Sequence, residues 1–270
     1  MPGEVPEGDS SRRTPSPALA AAAPKAWGGR DLLLFIGAVA LALVVANVAV
    51  LAGYTALQSV AGWPTRPAAL RDNAFLLLAL QLAFHGLVLG CIYLLVVVNY
   101  RQPFWAALRW GKPTAHGVLR FLLGGVLLSL LVQLAPPVLP DREDFPLLRL
   151  FSSPEAAYAL TAFAILIAPF MEELIFRGVL FRVFENLVGV RFAVAGTAIL
   201  FAGLHVPEYW GAWNHVLLIL LVGVAFSLAR GLTGSLAPSV VLHVAYNAGL
   251  MVAFFFETNQ FRALGGCFAS

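Results

Sequence analysis

Seven apolar segments, at about 32–57, 74–98, 117–139, 155–186, 192–209, 213–229 and 236–256, recur along a chain of 270 residues. Most approach or exceed the roughly 20 residues that carry a helix across about 30 Å of hydrocarbon. Backbone polar groups in lipid must be satisfied without water, so only helices or a closed barrel can span a bilayer. The alternating ten-residue strand pattern of a barrel is absent. The spacing predicts an all-α, polytopic transmembrane bundle of about seven helices, or eight with a re-entrant one. Composition agrees: 60% of residues are hydrophobic and only 11% charged, against roughly 25% charged in a soluble domain.

Charge sets the orientation. Arg12, Arg13, Lys25, Arg30, Arg101, Arg109, Lys112, Arg120, Arg177, Arg182, Arg191 and Arg230 fall on one side of the alternating spans. Only Arg66, Arg71, Arg142, Arg149 and Arg262 fall on the other. The positive-inside rule then predicts a cytoplasmic N-terminus, and seven spans put the C-terminus outside. The formal charge of +3 comes from loops and not from a basic face, so nucleic acid is not an implied partner. Cys91 and Cys267 are the only cysteines, and Cys91 lies within an apolar run, which points to neither a disulfide framework nor a thiolate metal site.

Residues 1–30 carry prolines, an alanine run and no apolar periodicity, the composition of a solvated cytoplasmic tail ahead of a transmembrane domain over 31–270. The connector from Arg101 to Lys112, with Phe104, Trp105 and Trp110 among basic residues, fits either an amphipathic interfacial helix or an aromatic-belt loop. An acidic stretch, Asp141 to Asp144, and the segment Trp210–Trp213 are expected at the opposite surface.

Ionisable side chains within spans are costly, so each is a functional-site hypothesis. They concentrate in three of the last four segments: Glu172, Glu173 and Arg177; His205, four residues after Phe201; and His243 with Asn247. On a helix turning about 100° per residue, Glu173 and Arg177 form an i, i+4 pair, whereas Glu172 points about 100° away. This predicts a buried structural pair and leaves Glu172 free to face a cavity as a general base. Pro169 removes a ladder hydrogen bond just upstream and should open room there. His243 and Asn247 share a face. At about 1.5 Å per residue, Glu172 lies roughly 22 Å from the cytoplasmic end, His205 roughly 20 Å, His243 roughly 10 Å and Asn247 roughly 16 Å. Any one cluster alone reads as helix packing; together they point to a reaction centre or ion site. Asn47, Gln81, His85 and Gln133 are isolated and are expected to bond neighbouring helices.

At these residues the sequence resembles the CAAX-protease and bacteriocin-processing (Abi, or CPBP) family of intramembrane endopeptidases. Its E-E-x-x-x-R, F-x-x-x-H and H-x-x-x-N/D motifs are matched by Glu172-Glu173 with Arg177, Phe201 with His205, and His243 with Asn247. The strings Phe176-Arg177-Gly178 and Arg230 to Leu236 also look typical, and the resemblance covers about 155–257. It implies that Glu172 and His205 activate a water, Glu172 as base, while His243 and Asn247 stabilise the oxyanion and Glu173 with Arg177 hold the helix geometry. No metal is required in this reading. A zinc alternative would use Glu172, His205 and His243 as ligands, although H-E-x-x-H is absent. The implied substrate is a membrane-associated protein or peptide, and the alanine- and arginine-rich makeup suggests a bacterial inner membrane. The alternatives are a non-catalytic scaffold or bacteriocin self-immunity protein of the same fold, and an ion-coupled transporter using Glu172.

Overall fold

Residues 27–62, 70, 72–139 and 149–262 are described by a computed structural model. Described residues form helices joined by short turns, with no strand among them. In chain order these are α1 (Gly29–Ala61), α2 (Ala74–Asn99), α3 (Phe104–Ala107), α4 (Ala115–Gln133), α5 (Pro154–Val188), α6 (Val190–His205), α7 (Trp213–Thr233) and α8 (Ala237–Glu257). Six are long and apolar enough to cross a membrane, and α6 is a shorter apolar helix. The chain is an integral membrane protein with a polytopic helical fold. Its outer surface is correspondingly apolar, with Leu33, Leu41, Val48 and Leu123 all more than half exposed.

Local chemistry fixes the helix ends. Asn73, Thr114 and Ser153 each accept a hydrogen bond from the backbone N–H three residues on, at 3.0, 3.1 and 3.2 Å, capping α2, α4 and α5. Between α5 and α6 the chain reverses at one residue, Gly189, whose φ of 88° and ψ of 168° suit only glycine.

Hydrogen bonds show which ends lie together. At one end Arg109 pairs with Glu185 at 2.9 Å, Leu236 N–H donates to Arg109 C=O at 3.0 Å, and Asn186 Nδ2 donates to Trp27 C=O at 3.2 Å. At the other, Val138 N–H donates to Asn214 Oδ1 at 2.9 Å. Phe151 and Tyr158 there pack on Phe254, Phe255 and Phe261. The helices thus alternate in direction, and the basic loops share one end.

Several expectations need correction. Residues 1–26, the acidic stretch 141–144 and Cys267 lie outside the described residues. The last residues of the predicted tail are structural: Trp27 is buried, stacks on Tyr100 at 5.6 Å, and α1 begins at Gly29. The 101–112 connector holds only the one-turn α3, bounded by Arg101 and Arg109 at positive φ (52° and 53°). Its Trp105 and Trp110 contact each other and Phe170 of α5. Asn47, His85 and Gln133 bond the carbonyl four residues back in their own helices, and Gln81 lines a cavity.

Helices α4 and α8 make the most intimate contact, through small residues that let the backbones approach without a hydrophobic driving force. A Cβ on Gly125 would overlap the Leu242 carbonyl oxygen and lie 2.6 Å from the Ala245 Cβ, and one on Gly249 would overlap Ser129. Gly125→Val is therefore expected to cost about 1–3 kcal/mol by overpacking. Gly86→Ala, with nothing within 4 Å of the added carbon, should lose no stability and gain up to about 1 kcal/mol from helix propensity. Thermal midpoints of the purified variants in detergent check both.

Candidate active site

The first determinant of the site is that α5 is not a regular helix. Two π-helical stretches, Phe163–Ile167 and Leu174–Leu180, flank a short α-helical piece, Ala168–Glu173, that ends on the two acids. Such bulges often mark functional sites because they free backbone groups and re-aim side chains. In the first, Ala168 N–H bonds back five residues to Phe163 C=O. The next donor in that register would serve Ala164, but it belongs to Pro169, which has no N–H. The orphaned Ala164 carbonyl instead accepts from Asn247 Nδ2 at 2.7 Å. The predicted gap at Pro169 is thus filled from α8, and it fixes the position of Asn247.

One turn on, Glu173 and Arg177 are fully buried and paired, Arg177 Nη1 donating to Glu173 Oε1 at 2.8 Å. The guanidinium also donates from Nη2 to Gly223 C=O at 2.8 Å and from Nε to Ser227 Oγ at 3.2 Å, both on α7. Phe201 and Phe226 lie against it, with ring centroids 4.9 and 5.5 Å from Cζ. The Ser227 hydroxyl meets Thr197 Oγ1 of α6 at 3.0 Å. Glu173 is equally engaged: Ser239 Oγ donates to its Oε2, and His243 Nδ1 lies 2.9 Å from its Oε1. A buried charge pair is tolerated only when its remaining donors and acceptors are met, and four helices supply them.

Glu172, the neighbouring acid, is not part of this cluster. It keeps about a quarter of its side-chain exposure (26%) and lies on the wall of a cavity of about 300 Å³. His205, His243 and Asn247 line the same cavity. The four residues singled out from the sequence therefore share one space. Glu172 Oε2 is 3.6 Å from His243 Nε2, just beyond hydrogen-bond distance. The unequal depths counted along the helices do not separate them, because α8 starts further into the bundle than α5 ends. Ser239 and His243, in its first two turns, both reach Glu173 in the middle of α5.

The hydrogen bonds assign the tautomers. An ionised Glu173 only accepts, so His243 carries its proton on Nδ1 and presents an Nε2 lone pair to Glu172. His205 Nδ1 lies 2.8 Å from Phe201 C=O, an acceptor, so its Nε2 lone pair also faces outward from that bond. Asn247 is the amide donor among the four, and its second N–H is free of the Ala164 bond. Among the described residues no three His, Cys, Asp or Glu side chains are grouped to hold a metal.

The sequence reading does not single out Ser227, Ser239 or Thr197, which complete the buried network, or Glu208 and Tyr209, which line the cavity beyond His205. Ser239 was legible in principle, since it precedes His243 by four residues and so shares its face.

Removing either member of the buried pair strands the other. Arg177→Ala or Glu173→Ala is expected to cost about 3–5 kcal/mol, seen as loss of folded protein in detergent-resistant, size-exclusion-monodisperse form. Arg177→Lys should recover little, because one ammonium cannot serve Glu173, Gly223 and Ser227 together.

Residues 154–249 match the family model described as Type II CAAX prenyl endopeptidase Rce1-like. No curated protein and no solved structure matches the chain. The matched region runs from the start of α5 into α8 and contains all three polar clusters, so over these residues the chain is similar to the Rce1-like, type II CAAX prenyl endopeptidase family.

Proposed function

We propose that the protein is an intramembrane endopeptidase in which Glu172 activates a water for attack on a peptide carbonyl of a membrane-associated protein or peptide. The observation that carries this reading is the division between adjacent acids. Both carboxylate oxygens of Glu173 are engaged, by Arg177, His243 and Ser239, whereas Glu172 is left facing a cavity that His205 and His243 also line.

In the proposed sequence a water sits between Glu172 and His205, whose Nε2 orients it. Glu172 takes the proton as the water oxygen bonds to the carbonyl carbon and the π electrons move to the carbonyl oxygen. The second N–H of Asn247 meets that oxyanion, a donor already fixed in place by Ala164 and so needing no reorganisation. Passing the proton from Glu172 to His243 Nε2, 3.6 Å away, makes His243 a donor only once negative charge has developed. Glu173, bonded to Nδ1, stabilises the resulting imidazolium and holds the ring's orientation, as a carboxylate does behind a catalytic histidine. Collapse breaks the C–N bond, and the amine leaves with the proton.

The mechanism uses no metal, and cleavage should persist in a chelator such as 1,10-phenanthroline; loss of activity restored by zinc would favour the alternative with Glu172, His205 and His243 as ligands. For location, the proposal is a bacterial inner membrane with the N-terminus in the cytoplasm.

Comparative terminal-peptide proteomics of membranes from a null strain, complemented with wild type or Glu172→Ala at matched levels, tests the function. New termini are expected only with wild type. Loss of the general base should slow cleavage by about 10²–10⁴-fold, and Asn247→Ala by about 10²–10³-fold. Identical termini together with full phenotypic rescue by Glu172→Ala would establish a scaffold instead.

A further inference from the structure

Helix α2 lies outside the region that matches the family, yet it supplies one wall of the cavity through Leu77, Leu78 and Gln81. These positions are i, i+1 and i+4, so they form one stripe of the helix, and His85 continues it a turn later. The buried His85 ring lies 5.7 Å from that of Phe163, the first residue of the first π-helical stretch of α5. Earlier on the same stripe, Leu77 and Leu78 pack with Phe151 and Leu160. The two helices therefore run side by side in the same direction. Gln81 stands one turn, about 5.4 Å, from the level of Phe163 and of Ala164, whose carbonyl holds Asn247.

The Asn47 and Gln133 amides and the His85 ring each bond a carbonyl four residues back. Gln81 enters this pattern only through its backbone carbonyl, which His85 Nδ1 meets at 2.8 Å. Its carboxamide has no hydrogen-bond partner among the described residues. A polar group within a span is costly unless something polar comes to it, and Gln81 borders the cavity shared by Glu172, His205, His243 and Asn247.

Substrate chemistry supplies the missing partner. A peptide bond within a helix must be unwound before it can be attacked, and its neighbours' N–H and C=O groups then need partners that an apolar wall does not offer. A carboxamide presents an acceptor and two donors, the complement of a peptide unit. An extended chain advances about 3.3 Å per residue, so an amide held by Gln81 falls about one or two residues from a carbonyl held at Asn247. Resting on the protease reading above, we propose that Gln81 is a substrate-binding residue whose carboxamide pairs with a main-chain amide one or two residues from the scissile bond, holding the unwound chain extended beside Glu172. The contact is to backbone, so it serves any sequence that can be unwound there.

Kinetics on a synthetic peptide spanning the terminus found by proteomics test this. Gln81→Leu removes the donors and the acceptor at similar volume. The contact is made in ground and transition states alike, so KM is expected to rise about tenfold while kcat changes less than about threefold. Peptides in which one amide within two residues of the cut bond is replaced by an ester each lose a single N–H. One of them should raise the wild-type KM and have no further effect on Gln81→Leu. The thermal midpoint of Gln81→Leu should equal or exceed that of wild type, whereas a packing role would lower it. Gln81→Met takes its place if the leucine variant does not accumulate. A KM within about twofold of wild type, or ester effects that all add to that of Gln81→Leu, overturns the assignment and leaves the protease reading standing. If wild type cleaves no peptide, the protease reading fails first and this assignment with it.

Discussion

The carboxylate of Glu173 is the fixed point of the bundle. An unpaired buried charge costs about 3–5 kcal/mol, so Glu173 is tolerated here only with its partners in place. Arg177 comes from the same helix, Ser239 and His243 from α8, and Arg177 carries the network to Gly223 and Ser227 of α7 and through Ser227 to Thr197 of α6. Lipid offers no hydrophobic gain for bringing helices together. In its place this polar cluster sets their register to within a hydrogen bond.

The proposed chemistry depends on what the cluster leaves over. Glu173 has both oxygens engaged in the buried network, and its neighbour Glu172, rotated away around the helix, is the acid that reaches the cavity. Because His243 gives its Nδ1 proton to Glu173, its Nε2 lone pair points at Glu172. The two π turns of α5 complete the arrangement, since the missing N–H of Pro169 orphans the Ala164 carbonyl and that carbonyl holds Asn247. Structure and proposed catalysis use adjacent residues of one motif, and His243, bonded to Glu173 and facing Glu172, joins the two.

The parts of this arrangement that rest on helix periodicity were legible in the sequence. The i, i+4 relation of Glu173 with Arg177, the separate direction of Glu172 and the common face of His243 and Asn247 need only about 100° per residue. What periodicity does not carry was not legible. A π bulge changes the hydrogen-bond register with little sequence signature beyond Pro169. Ser227 and Thr197 look like ordinary small polar residues in apolar runs, and only the fold brings Arg177 to them. Asn47, His85 and Gln133 turned out to satisfy themselves within their own helices, an option open to any polar side chain with a carbonyl four residues back. Of the two readings of the aromatic connector, the backbone is nearer the loop, with Arg101 and Arg109 in left-handed conformations at either side of the one-turn α3.

The central claim is that two adjacent glutamates have opposite duties, and the most direct measurement compares their isosteric amides side by side. Purified Glu172→Gln and Glu173→Gln would each be examined for thermal midpoint and for cleavage of a substrate identified from its new terminus. The account predicts a wild-type midpoint with cleavage lost for Glu172→Gln, and a midpoint lowered by several degrees for Glu173→Gln, about 1–3 kcal/mol of lost charge-assisted bonding. A destabilised Glu172→Gln that still cleaves, beside a stable and inactive Glu173→Gln, would contradict it.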